Sequence, residues 1–269
     1  MTKLVLALAL ALSHATDIDA ARKLIALDGA EQDLKNMRSQ IVAGLYPVKP
    51  KIAPDAFAIL KLAVETEFDE AKLFPRYEEV FLSSLSDDTI RECLKWYESP
   101  IGKKLSKLQA ENTTGEKMAE LRAFAAAIEK KPPARARLLK ELDEAMRGSA
   151  LFLDLDVNMS WGIMVGLMAF EPGGSSPERV AQARKRLADF RTKAAPEIRK
   201  KTFATYAFVY REATDDEIRK LIAFAKTPAG KKLIEASFLA LNDTLQHASQ
   251  DVGVDVGASY KPPEPKKKK

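Results

Sequence analysis

Two pairs of adjacent carboxylates are the most prominent chemistry-bearing residues of this 269-residue chain. Aspartates stand at positions 87–88 and again at 215–216, and positioned carboxylates serve acid–base catalysis or cation binding in many proteins. Each pair, however, directly follows Ser86 or Thr214 and precedes an apolar stripe at helical spacing. A hydroxyl just before a helix and acids in its first turn are what a helix N-terminus favours. We therefore predict that these aspartates cap helices.

A second acidic pattern has the spacing with which a calcium-binding loop begins. Asp154, Asp156 and Asn158 occupy alternate positions, as the first three ligands of such a loop do. The pattern then fails, because Met159 replaces the required glycine and Val165 replaces the closing glutamate. We predict that these polar residues lie on a helix face.

One cysteine and one histidine remain as candidate reactive groups. Cys93 shares an i, i+3, i+4, i+7 stripe with apolar neighbours, which predicts a packed side chain and not a nucleophile. His247 has no second histidine nearby and no Gly-x-Ser-x-Gly elbow to serve, and zinc needs three or four protein ligands. The sequence thus assigns no catalytic, cofactor-binding or metal-binding residue and favours a protein that is not an enzyme. A hydrolase of unrecognised type that uses His247 stays open as an alternative.

The N-terminal residues 1–15 have the pattern of a secretory signal peptide. Lys3 precedes nine consecutive Leu, Val and Ala residues, and Ser13 and Ala15 supply the small side chains before a cleavage point. The apolar stretch is too short to span a bilayer. We expect a mature chain that is periplasmic or secreted.

The chain repeats itself. Residues 86–105 and 214–233 share nine identical positions in twenty, and residues 22–30 share five with residues 137–145. Such self-similarity predicts an internal duplication. We place repeat 1 at 16–131 and repeat 2 at 134–250, with the boundary at two adjacent prolines that no helix crosses.

Each long block predicts two helices that meet at a corner. After the first helix, Ser99-Pro100 and Thr227-Pro228 place a capping residue before a proline, which is typical of a new helix start. Apolar residues recur at helical spacing throughout the chain. The predicted fold is therefore all-α, with about ten to twelve helices in two related bundles.

The same segments resemble a family of bacterial exported proteins known as domain of unknown function 2059. The residues that carry the resemblance are Ala21 to Ala30, Trp96 to Leu105 with its Ser-Pro-x-Gly core, and Phe224 to Leu233. The resemblance implies an exported all-helical domain and supplies no activity.

The charge distribution argues against a nucleic-acid-binding protein. The formal net charge is +5, but Lys3 and the four lysines at 266–269 account for all of it. Residues 4–265 therefore have no net charge to form a basic stripe. We expect residues 251–257 to be an extended linker and residues 251–269 as a whole to form a disordered basic tail, suited to an anionic envelope polymer or lipid head groups.

These observations favour an exported interaction or binding module of the cell envelope, without cofactor, nucleic acid or transmembrane segment. The partner is either another envelope protein or a polymer held by the basic tail. A second possibility is an apolar small molecule or lipid in a bundle cavity lined by residues such as Trp161, Met164, Met168 and Phe170. The apolar run 157–170 is shorter than a membrane span and predicts a core helix.

Overall fold

The computed structural model describes residues 17–131, 133–170 and 176–260, apart from the side chain of Val48. These residues confirm the all-α fold, since they contain twelve α-helices, two short 3₁₀ helices and no strand. The helices are α1 Ile18–Asp28, α2 Ala30–Leu45, α3 Pro54–Glu67, α4 Glu70–Ser84, α5 Asp87–Glu98, α6 Pro100–Asn112, α7 Met118–Lys130, α8 Ala136–Met146, α9 Gly148–Met168, α10 Pro177–Val209, α11 Asp215–Ala225 and α12 Pro228–Ser259, with 3₁₀ helices at Tyr46–Lys51 and Gly115–Lys117.

The paired aspartates lie in the first turns of α5 and α11, as predicted. The Ser86 hydroxyl accepts a hydrogen bond from the Thr89 N–H at 3.4 Å. Thr214 and Glu217 form a reciprocal capping box, in which the Thr214 N–H donates to the Glu217 carboxylate at 2.8 Å. The second aspartate of each pair is exposed and forms an ion pair with the arginine three residues later, at 2.5 Å in α5 and 2.6 Å in α11. The aspartates therefore stabilise helix starts.

The predicted corners are present in both blocks. The Ser99 hydroxyl accepts from the Gly102 N–H at 3.1 Å, and the Thr227 hydroxyl accepts from the Gly230 N–H at 3.0 Å. A Cβ atom on Gly102 would lie 2.0 Å from the Trp96 carbonyl oxygen, and one on Gly230 would lie 2.2 Å from the Phe224 carbonyl oxygen. Both distances fall inside van der Waals contact with backbone atoms, so only glycine fits these two positions.

We expect Gly102→Ala and Gly230→Ala each to lower the free energy of unfolding by about 2–3 kcal/mol, because the added methyl forces the backbone of the corner apart. Chemical denaturation measures the change. Gly44→Ala is the control, since a Cβ there meets no atom within 4 Å, and alanine favours a helix over glycine. Equal stability of the Gly102→Ala variant and the native chain would contradict the steric account.

The buried side chains form two clusters, and each contains residues from both predicted repeats. The first cluster lies among α1 to α5 and is completed by α12, which contributes Leu233, Ala240 and Val252 among others. The second cluster lies among α8, α10 and α11 and is completed by Leu105 and Leu108 of α6. The helix after each corner therefore packs into the opposite cluster.

The two blocks also contact each other directly through residues at matching positions. Trp96 and Phe224, which occupy matching positions of the two blocks, stack face to face with ring centroids 4.7 Å apart and an interplanar angle of 5°. The duplication behind this correspondence stays a prediction.

We expect residues 16–131 and 133–260, produced as separate chains, to be largely unfolded, because each lacks the helix that completes its buried cluster. Mixing them should restore helical circular dichroism and give a one-to-one complex. Size-exclusion chromatography with light scattering checks the complex. Cooperative thermal unfolding of either fragment alone would show that the exchanged helices are dispensable.

The structure of residues 251–259 differs from the sequence prediction. Residues 251–257 are not an extended linker, because α12 continues through Ser259. Val252 is fully buried, and a Cβ on Gly253 would lie 2.3 Å from the Ile163 carbonyl oxygen of α9. Close packing against α9 therefore keeps this segment helical, and the expected disorder of 251–269 is wrong for residues 251–259. The predicted signal peptide at 1–15 and the lysine run at 266–269 lie outside the described residues.

Helix α9 contains the apolar run and the acidic pattern noted in the sequence. It is long and apolar enough to cross a membrane by length and composition, and in the structure it packs against α10 and α12. Asp154 pairs with Arg191 of α10 at 2.5 Å, and Asn158 bonds to Asn242 of α12 at 2.6 Å. These polar residues therefore join helices, and the prediction of a helix face is confirmed.

Candidate functional site

A cavity of about 230 Å³ lies at the seam between the two clusters. We call it the seam cavity. Its walls come from both predicted repeats and are mostly apolar, with aliphatic side chains such as Leu151 and Leu241. Its aromatic residues are Tyr77, Trp96, Tyr97, Phe152, Tyr206, Tyr210, Phe224 and Phe238. Concave, largely apolar sites with a few polar groups are typical of small-ligand binding.

The corners bring the aromatic rings to the seam. Trp96 and Tyr97 end α5, and Phe224 stands near the end of α11. The Tyr97 ring meets Phe224 edge-on with centroids 6.1 Å apart, in addition to the Trp96–Phe224 stack. Because the chain turns directly after these residues, α6 and α12 lead away from the rings, and the packed rings line the cavity together with residues of both helices. The motif that shapes the backbone thus also builds one wall of the cavity.

Asp28 is the central polar residue of the seam cavity. It is the last residue of α1, and the chain then turns through Gly29 with a positive φ of 90°. Its carboxylate accepts hydrogen bonds from the Tyr97 hydroxyl at 2.5 Å and from the Ser237 hydroxyl of α12 at 3.1 Å. Burial raises the pKa of Asp28 above its usual range, and its place at the negative end of a helix dipole disfavours a carboxylate further. No ion pair to Asp28 exists among the residues that the structure describes.

Asp33 lines the same cavity from the first turn of α2. Burial, together with the nearby Asp28, raises the pKa of Asp33 to about 6. Within the described parts of the chain, its carboxylate has neither an ion pair nor a hydrogen-bond donor. With a pKa of about 6, Asp33 is mostly ionised at neutral pH, and no group among the described residues pairs with its carboxylate.

Tyr77 adds an unsatisfied hydroxyl. Its side chain is 1% exposed. The Ser237 hydroxyl lies near the Tyr77 hydroxyl but donates to Asp28, and no described residue meets hydrogen-bond geometry with the Tyr77 hydroxyl. Burial raises the pKa of Tyr77, so the hydroxyl stays protonated. A buried polar group without a partner costs about 1–3 kcal/mol, which a bound molecule with a matching polar atom would recover. We refer to Asp28, Asp33 and Tyr77 as the polar cluster.

We expect Asp33→Asn to be more stable than the native chain by about 1–2 kcal/mol at pH 8, with little difference at pH 4. The folded-state pKa is raised, so the stability that protonated Asp33 provides is complete below the unfolded pKa of about 3.9 and is lost as pH rises through about 6. Denaturant unfolding across this range measures the effect. Exposed Asp88, replaced by Asn, is the control and should show no such gain. A native-like pH dependence in Asp33→Asn would contradict the assignment.

The residues singled out from the sequence lie elsewhere. Cys93 is fully buried, its thiol donates to the Ala229 carbonyl at 3.6 Å, and burial raises its pKa to about 12, so the prediction of a packed cysteine is confirmed. His247 is half-exposed and lies between Asp243 and Arg76, whose Nη2 is 2.9 Å from its Nε2. No group of three His, Cys, Asp or Glu side chains in the described ranges is arranged to hold a metal ion.

The residues that were expected to line an apolar cavity lie outside the seam cavity. Trp161, Met164, Met168 and Phe170 do not line the seam cavity. The Trp161 ring instead lies 5.6 Å from the Arg184 guanidinium, and Phe170 is largely exposed. The polar cluster was missed because Tyr77 is far from Asp28 and Asp33 in the sequence, and only the fold brings the three side chains to one cavity. One signal was available, since an aspartate directly before a C-terminal glycine opposes the helix dipole and serves no local purpose.

Comparison with known proteins finds similarity for one segment of the chain. No curated protein and no solved structure matches the chain. Residues 71–124 match the model of a family described as an uncharacterized protein conserved in bacteria, DUF2059. The matched segment runs from the first turn of α4 into α7 and includes Tyr77, Trp96, Tyr97 and the first corner. Over these residues the chain is similar to the bacterial family that its Ser-Pro-x-Gly motif resembles.

Proposed function

We propose that this chain is an exported bacterial binding protein without enzymatic activity, and that it holds a small, largely apolar molecule in the seam cavity. The observation that carries the proposal is the cavity itself, with aromatic walls and the unsatisfied Tyr77 hydroxyl at its polar end. Protein interiors are otherwise close-packed and pair their buried polar groups. A space of about 230 Å³ with an unpaired hydroxyl is better explained by a ligand than by core packing. The volume lies just below the range of about 300–1,000 Å³ for drug-sized ligands, so the ligand is small.

The chemistry of the lining favours binding over catalysis. No histidine, cysteine, lysine or arginine of the described chain lines the cavity. Its hydroxyl groups include four tyrosines, and burial raises the pKa of Tyr77, Tyr97, Tyr206 and Tyr210 alike, which leaves them poor nucleophiles. His247, on which a hydrolase would depend, is engaged with Arg76 away from the lining. These features support a binding site that holds its ligand unchanged.

Export is the second part of the proposal. It rests on the signal-peptide pattern at residues 1–15 and on the resemblance to an exported family. In a periplasmic or secreted protein, the lysines at 266–269 would add weak, salt-sensitive attraction to anionic envelope polymers or lipid head groups. The seam cavity and the tail would then serve different purposes, ligand capture and retention near the envelope.

We expect the mature protein, isolated from its own bacterial host without denaturation, to carry a small-molecule adduct in native mass spectrometry. Leu241→Trp should abolish the adduct, because Leu241 lines the cavity and the indole would fill it. Leu239→Trp is the matched control, because Leu239 stands two residues away on α12 and is 51% exposed, so the adduct should persist.

Thermal unfolding of both variants separates loss of the ligand from loss of the fold. An adduct that survives in a folded Leu241→Trp protein would place the ligand outside the seam cavity. A native protein without any adduct that co-purifies with a stoichiometric envelope protein would favour a protein-interaction module instead.

A further inference from the structure

The polar cluster is a set of hydrogen-bond acceptors with few donors. The Asp28 carboxylate accepts hydrogen bonds from the Tyr97 and Ser237 hydroxyls and retains free lone pairs. The Asp33 carboxylate receives no donor within the described residues, and the Tyr77 hydroxyl is buried without a partner. Two carboxylates and a hydroxyl that converge on one cavity call for a donor-rich group.

Negative charge at this site has no counter-ion in the protein. The lining contains no lysine or arginine in the part of the chain that the structure describes, and no ion pair there involves Asp28 or Asp33. Asp28 and Asp33 are half-buried, and carboxylates withdrawn from solvent are normally paired with a cation. The missing partner is therefore expected to come from outside the chain.

We infer that the ligand of the seam cavity is an organic amine whose ammonium group is held by Asp28, Asp33 and Tyr77 and whose apolar body lies against the aromatic wall. The inference rests on the proposed function and names the class of ligand for that site. A primary ammonium has three N–H donors, which the three acceptors of the polar cluster match in number. The aromatic side chains that line the cavity pack an apolar chain or ring, and aromatic rings attract cations. A carboxylate ligand would be repelled, and a neutral alcohol would leave the carboxylates without a counter-ion.

A simple alternative assigns Asp28 a purely structural part. In that case the aspartate only joins α1 to α5 and α12 through Tyr97 and Ser237. Asparagine has the same shape but replaces one of the two acceptor oxygens with an NH₂ donor, so in a purely structural role Asp28→Asn would weaken the binding of amine and alcohol alike. The two accounts differ in the charge of the ligand that the protein selects, which is directly measurable.

The test uses three probes of nearly equal size, 2-phenylethylamine, 2-phenylethanol and phenylacetate, titrated into the ligand-free full-length mature protein at pH 7.5 by calorimetry. We expect the amine to bind at least tenfold more tightly than the alcohol, and phenylacetate to show no binding. Asp28→Asn should weaken amine binding at least tenfold and leave the alcohol unchanged. Asp33→Asn is the second variant and should act in the same direction. The exposed Asp88→Asn control should bind all three probes as the native chain does.

Each outcome decides between the claims. Equal affinity for amine and alcohol, or tightest binding of phenylacetate, overturns the amine inference and leaves the apolar cavity as a binding site. Unchanged amine binding in folded Asp28→Asn and Asp33→Asn variants overturns it as well, as does the absence of binding by all three probes. The proposed function is judged separately, by the adduct in the native protein and its loss in Leu241→Trp.

Discussion

The fold depends on a backbone contact that leaves no room for a side chain. At each corner, a glycine Cα lies against the carbonyl oxygen of the residue six positions earlier, Trp96 for Gly102 and Phe224 for Gly230. The capping hydroxyl and the proline fix where the second helix begins, and the glycine fixes how closely it passes the first. The direction that α6 and α12 take follows from this geometry, and so does their arrival in the opposite cluster.

The seam cavity forms because the helix after each corner packs into the opposite cluster. The aromatic residues at the ends of α5 and α11 meet because both helices stop at the same kind of corner, and the helices that follow diverge around them. Asp28 and Ser237, which are 209 residues apart, bond across the seam. The site therefore exists only in the assembled pair of clusters, which makes ligand binding a natural means of holding the two together. A ligand bound to the folded state alone stabilises it by mass action.

The polar cluster lowers stability in the absence of a ligand. The raised pKa of Asp33 and Asp28 and the unpaired Tyr77 hydroxyl each oppose folding at neutral pH. Residues that weaken a fold yet sit together in one cavity are characteristic of binding sites. By contrast, the carboxylates that first draw notice in the sequence, at 87–88 and 215–216, stabilise helix starts and have no part in the cavity.

The sequence by itself determined the helices, their caps and both corners, because these features depend on residues within one or two turns of each other. It also indicated that Cys93 is packed. The sequence-based prediction of an extended linker at residues 251–257 was wrong, because contacts with α9 keep this glycine- and valine-rich segment helical. The match between residues 22–30 and 137–145 aligns Asp28 with Asp143. The two aspartates have different roles, because Asp143 accepts a hydrogen bond from the Ser149 N–H at 2.7 Å in the first turn of α9, whereas Asp28 lines the cavity. Only the tertiary structure decided which cluster each helix completes, because apolar stripes show that a helix is buried without specifying its partner. The seam cavity and its polar cluster follow from that choice.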